Sequence, residues 1–204
     1  MDIDFKKISG GKQGMAGKNE FFYRRLHSLL GVVPVGLFLT NHLIINHFAT
    51  QGASSYNKAA EFMSSLPFLL FLEIFLIFLP ILFHAIYGIY ISFQAQHNLN
   101  RFGMFRNWMF FLQRITGLFL VIFIAWHVWE TRAQVTVAGA EVNYNMMADI
   151  LSNPFMLAFY IAGVVAATFH WANGIWSFCV TWGLTITPRS QQITTYITLG
   201  IFVV

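Results

Sequence analysis

The stretch Phe83-His84-Ala85-Ile86-Tyr87-Gly88-Ile89-Tyr90 lies inside a long apolar run, and it returns as Phe169-His170-Trp171-Ala172-Asn173-Gly174-Ile175-Trp176. Each copy puts an imidazole among residues suited to lipid, with a glycine four positions later. A polar group at membrane depth is costly and normally turns toward the bundle interior, where it has a partner. The repetition of that arrangement decides how the rest of the chain is read.

The apolar setting is general. The chain has 204 residues, of which 57% are hydrophobic and 10% charged, and its mean hydropathy of +0.61 excludes an ordinary soluble domain. A bilayer-crossing helix needs about 20 mostly apolar residues, and four stretches qualify, about 24–47, 67–94, 107–130 and 155–183. A fifth, 192–204, is too short to cross and reads as the opening of a fifth helix. The expectation is an all-α integral membrane protein with five transmembrane helices, the fifth incomplete, in one domain over residues 1–204. Residues 1–20 form a polar, basic segment with no cleavage pattern after an early apolar core, so the first helix is expected to remain in the mature protein.

Charge sets the orientation. Lys6, Lys7, Lys12, Lys18, Arg24, Arg25, Arg101, Arg106, Arg114 and Arg189 fall on one side, whereas only Lys58 and Arg132 fall on the other. The positive-inside rule then places the N-terminus in the cytoplasm of a multi-pass cell-membrane protein. The net charge of +4 reflects topology in contact with lipid, and no nucleic-acid partner is expected. The single cysteine, Cys179, excludes an intrachain disulfide. Ser65 before Pro67 and Asn153 before Pro154 read as helix starts, and Pro188 after Thr185 and Thr187 reads as a helix exit. Pro34 and Pro80 read as kinks, and Met146 to Leu151 as a short surface helix.

Each of the four full spans has one histidine well inside it: His42, His84, His127 and His170. For any one of them, a hydrogen bond to a neighbouring helix is sufficient explanation. As a set they are spaced as two copies of a two-helix unit, since His42 and His127 are 85 positions apart and His84 and His170 are 86. A pseudo-symmetric four-helix bundle follows. Span directions put His42 and His127 near the outer surface and His84 and His170 near the inner one, roughly 15 Å apart at the helical rise. Two imidazoles per level are too few for a typical protein zinc site but suffice to ligate an iron on both faces of a porphyrin. Two bis-histidine haems fit, and these carry electrons because no iron position stays open. Gly88 and Gly174 share a helix face with the histidine one turn before them, where a flat macrocycle or another helix can come close.

At the inner mouth, Arg24, His27 and Ser28 on the first helix face the level of Arg114 on the third. These could neutralise haem propionates or bind a quinone carbonyl, and snorkelling arginines are the plain alternative. Glu73 lies near the outer pair, where a proton acceptor would suit quinol chemistry. His97 falls in an inner connection and is expected to be solvated.

Three motifs carry a family resemblance: Arg24-Arg25-Leu26-His27-Ser28-Leu29-Leu30-Gly31, Trp126-His127-Val128-Trp129-Glu130-Thr131, and Thr181 through Ser190. From about Asn19 to Val204 the chain resembles the dihaem cytochrome b membrane-anchor subunit of succinate dehydrogenase from Bacillus-type bacteria. The resemblance implies five helices, two haem b groups with axial histidines falling on His42, His84, His127 and His170, and menaquinone as electron acceptor. It also implies a flavoprotein subunit and an iron–sulfur subunit as partners. The anchor is then non-catalytic for succinate itself, and fumarate reduction is the same chemistry reversed. The rival expectations are an anchor for a hydrogenase or formate dehydrogenase, and a non-redox helical bundle.

Overall fold

A computed structural model describes residues 13–95 and 99–203; most of the basic N-terminal segment and His97 lie outside the described residues. The described residues form helices and no strand. The first span is α1 (Gln13–Val32) continued by α2 (Pro34–His47). The junction lies where Pro34 removes a backbone donor, as expected of a proline inside a span. A short 3₁₀ turn and α3 (Ala53–Ser64) follow. The second span runs through α4 (Leu69–Leu72), a π-helical stretch (Glu73–Phe78) and α5 (Leu79–Gln94). The wide turn delivers the chain directly to Pro80, whose missing N–H has no place in a regular α ladder. The third span is α6 (Phe105–Glu130), followed by α7 (Arg132–Ala138) and α8 (Tyr144–Ser152); the fourth is α9 (Pro154–Thr181), and α10 (Pro188–Val203) closes the described chain.

Four helical stretches are long and apolar enough to cross a membrane, Asn19–Gln51, Leu69–Gln94, Phe105–Ala138 and Pro154–Thr181. They pack in a ring in which α1 touches α5 and α9, α6 touches α9, and α5 touches α6, while α10 lies against α9. Large apolar side chains such as Leu37, Phe71, Ile122 and Val165 point outward. In lipid such burial gives little drive for helices to associate, so close packing must supply it. Gly36 makes room for the indole of Trp171, and Gly163 makes room for the ring of Phe123, so the first and third helices both seat on α9. Leu120, Phe123, Tyr160 and Ala166 form the buried core between α6 and α9.

Two punctuation signals act differently from the sequence reading. Ser65 does not open the second span; its hydroxyl donates to the Phe62 carbonyl at 2.8 Å and finishes α3. Phe68, at φ 57°, makes the turn into α4 in the left-handed region that non-glycine residues seldom adopt. Pro188 does not end the fourth span. That helix closes at Gly183, φ 73°, with the Leu184 N–H on the Cys179 carbonyl at 2.8 Å. Pro188 is instead the first residue of α10, behind Thr187, whose hydroxyl accepts the Ser190 N–H at 3.1 Å. Asn153 and Pro154 do open α9, with Asn153 Oδ1 accepting the Phe155 N–H at 2.9 Å.

Candidate functional site

The bundle brings the four span histidines together as two pairs. We call the pair nearer the N-terminal end of the bundle the near level and the other the far level. At the near level the rings of His84 on α5 and His170 on α9 have centres 6.1 Å apart and planes 83° apart. At the far level His42 on α2 and His127 on α6 have centres 5.7 Å apart and planes 76° apart. Ten residues of α9 separate His170 from Tyr160, which touches His127, so the levels lie about 15 Å apart along the helix.

The near level is built twice from the same parts. His84 Nδ1 lies 2.9 Å from the His27 carbonyl, and His170 Nδ1 lies 3.0 Å from the Gln113 carbonyl, each across 57 residues of sequence. A carbonyl only accepts, so each Nδ1 bears the hydrogen and each Nε2 keeps its lone pair. A Cβ at Gly31 would run into the His84 ring, and one at Gly117 would lie 2.9 Å from His170 Cε1. A Cβ at Gly88 would come 3.1 Å from His27 Nε2, and one at Gly174 would come 3.6 Å from Gln113 Nε2. Every member of the first set maps onto the second by 86 positions.

Beyond that symmetry the copies diverge. His27 stacks on His84 with centres 3.9 Å apart. Gln113 instead donates from its amide to the His170 carbonyl at 3.0 Å and accepts from buried Asn173 at 2.8 Å. Thr116 Oγ1 lies 3.2 Å from His170 Nδ1.

The far level is held by side chains. His127 Nδ1 is 3.3 Å from the hydroxyl of Tyr160, which donates to Glu130 Oε2 at 3.0 Å. Trp126 donates to the same oxygen at 3.1 Å. Because the phenol hydrogen is committed to the carboxylate, its oxygen accepts from His127, again leaving Nε2 free. The ring of His42 meets Phe38 at 5.5 Å and has no hydrogen-bond partner among the described residues.

Among the described residues, no three His, Cys, Asp or Glu side chains cluster to hold a metal ion by protein ligands alone. Two imidazoles sharing one ion at a metal–nitrogen distance of about 2 Å would have ring centres about 6 Å apart, close to both observed values. The donor set therefore fits an ion already chelated in its equatorial plane, with two axial positions to fill.

The other sequence candidates separate. Arg24 donates to Glu20 Oε1 at 2.7 Å and to Gln94 Oε1 at 3.2 Å. Arg114 lies over the Phe110 ring at 3.2 Å and donates to the Phe110 carbonyl at 2.8 Å, while its buried Nε has no partner. Ser28 is half-buried on α1. Arg25, beside Arg24 at the same mouth, donates to the Thr181 carbonyl at 3.2 Å, and its Nε is also buried without a partner. Glu73 is gripped at both oxygens by Arg132, each bond 2.8 Å. The proton-acceptor role considered for it therefore competes with a two-point ion pair.

Comparison with known proteins places the whole chain. The profile of the succinate dehydrogenase/fumarate reductase transmembrane subunit family matches residues 101–204. The chain is similar to the succinate dehydrogenase cytochrome b558 subunit of Bacillus subtilis (strain 168), with 60% identity over 189 residues covering 93% of each chain. It is also similar to the succinate dehydrogenase hydrophobic membrane anchor subunit of Thermoplasma acidophilum, with 32% identity over 65 residues, 32% of this chain and 51% of the other. No solved structure gives a significant match.

Proposed function

Because this chain belongs to the succinate dehydrogenase/fumarate reductase transmembrane subunit family, we propose that it anchors a flavoprotein and an iron–sulfur subunit to the membrane. In this role it would carry their electrons to menaquinone by way of two haem b groups, each held by one histidine pair. The observation that carries the reading is the pairing of imidazoles at 6.1 and 5.7 Å on two levels, with three of the four Nδ1 atoms engaged so that the corresponding Nε2 atoms keep their lone pairs. Two haem b groups, when bound, would supply one-electron carriers.

The chain's own residues do the positioning. His84 and His170 would hold the near haem, with Gly31 and Gly117 allowing the imidazoles to lie against the opposing helices. His42 and His127 would hold the far haem. Arg25 and Arg114, each with a buried guanidinium nitrogen unpaired, are suited to propionate or quinone oxygens. With the N-terminus cytoplasmic, the near level is the one that would lie toward the soluble partners. Succinate chemistry stays with the soluble partners.

The test is purification of the intact complex followed by succinate addition under anaerobic conditions. Reduction of b-type absorbance, reoxidised by a menaquinone analogue, is expected. A complex whose haem is reduced by hydrogen or formate and not by succinate would overturn the assignment.

A further inference from the structure

Resting on the two-haem reading, the geometry points to Tyr160 as a positioning residue that sets the electronic character of the far haem, with Glu130 acting through it. At the near level both imidazole N–H groups donate to backbone carbonyls, of His27 and Gln113, which no side-chain substitution removes. At the far level the only such acceptor among the described residues is the Tyr160 hydroxyl, 8% exposed and wedged between α6 and α9 against Phe123 and His127. Its hydrogen is given to Glu130, whose Oε2 also takes the Trp126 N–H. The carboxylate thus fixes the direction of the whole chain, from imidazole to phenol to carboxylate.

An acceptor on Nδ1–H raises the basicity of Nε2, and a more basic axial nitrogen favours ferric over ferrous iron. A phenol that donates to a carboxylate is a better acceptor than a free one, because hydrogen bonds in a chain polarise one another. Tyr160 therefore lowers the potential of the far haem and holds the His127 ring in register. The internal repeat isolates the device: the position 86 residues before Tyr160 is Ile74, which has no group to offer His42.

The experiment is an optical redox titration of the purified complex, resolving the two haems, on the parent and on Tyr160→Phe, Glu130→Gln and the double variant. Tyr160→Phe is expected to raise the far potential and leave the near one in place. Glu130→Gln is expected to give a smaller rise, and in the double variant it adds nothing to Tyr160→Phe, since its route is gone. Should Tyr160→Phe shed the far haem, Glu130→Gln alone still gives the reading. A far potential unmoved in both single variants, or both haems moving together, would overturn the inference. Fewer than two haems in the parent would overturn the reading beneath it.

Discussion

The near and far levels hold the same two imidazoles in two ways, and the contrast shows which parts of a membrane site a repeat can encode. At the near level, fixed features of the backbone do the work: a carbonyl orients each ring, and a glycine one turn further along gives it room. At the far level the work is done by individual side chains, Tyr160 and Glu130 on one half and, among the described residues, none on the other. Backbone devices survive duplication because most side chains can change around them. Side-chain devices are free to differ, as His27 and Gln113 do at the near level and the two halves of the far level do throughout.

The largest effect tests the separateness of the levels. His170→Ala removes one axial nitrogen from the near level, and haem content by pyridine haemochrome is expected to fall by about half, the far signal remaining. Equal loss of both signals from every single histidine variant would merge the two levels into one.

Next comes the glycine pair. Gly117→Ala puts a methyl group 2.9 Å from His170 Cε1, so the ring must leave its Gln113 acceptor or the helices must part. Loss of that hydrogen bond alone costs about 1 kcal/mol, and partial loss of the near haem with the far one intact is the expected spectrum. Gly31→Ala should do the same through His84, and an effect confined to the far haem in either variant would break the symmetry argument.

Ion pairs give a smaller contrast between the two ends. Glu73 has a side chain 14% exposed and is gripped at two points by Arg132, at 36%. Arg132→Ala strands that carboxylate and is expected to cost about 1–3 kcal/mol, below the figure for fully buried pairs because the guanidinium is partly solvated. The check is thermal unfolding in detergent, with Glu73→Gln restoring part of the loss. Glu20 and Arg24 at the near end are both about half exposed, and Glu20→Gln should change stability by less than about 0.5 kcal/mol. A larger loss there than at Glu73 would reverse the ranking.

Much of this was legible in the sequence, and the exceptions have physical reasons. The spans are legible because lipid demands long apolar runs, and the histidine pairs because the repeat preserves their spacing. Gly31 and Gly117 obey the same offset and could have been found by it; attention to the glycine after each histidine led to Gly88 and Gly174, which face His27 and Gln113 instead. Proline beside a polar residue marks both starts and stops, so Pro188 read as an exit when Gly183 is the exit. The helix Ala53–Ser64 is polar enough to pass for a loop. Tyr160 and Glu130 were not legible, because they meet across 30 residues on different helices at a level that only the packing of α6 on α9 sets.

The most direct measurement is a reduced-minus-oxidised spectrum of the purified complex with the haem-to-chain ratio determined alongside it. Two b-type haems per chain is the result expected from two imidazole pairs on two levels. A ratio of one would leave one pair as a structural contact between helices, and a ratio of zero would contradict the account at its centre.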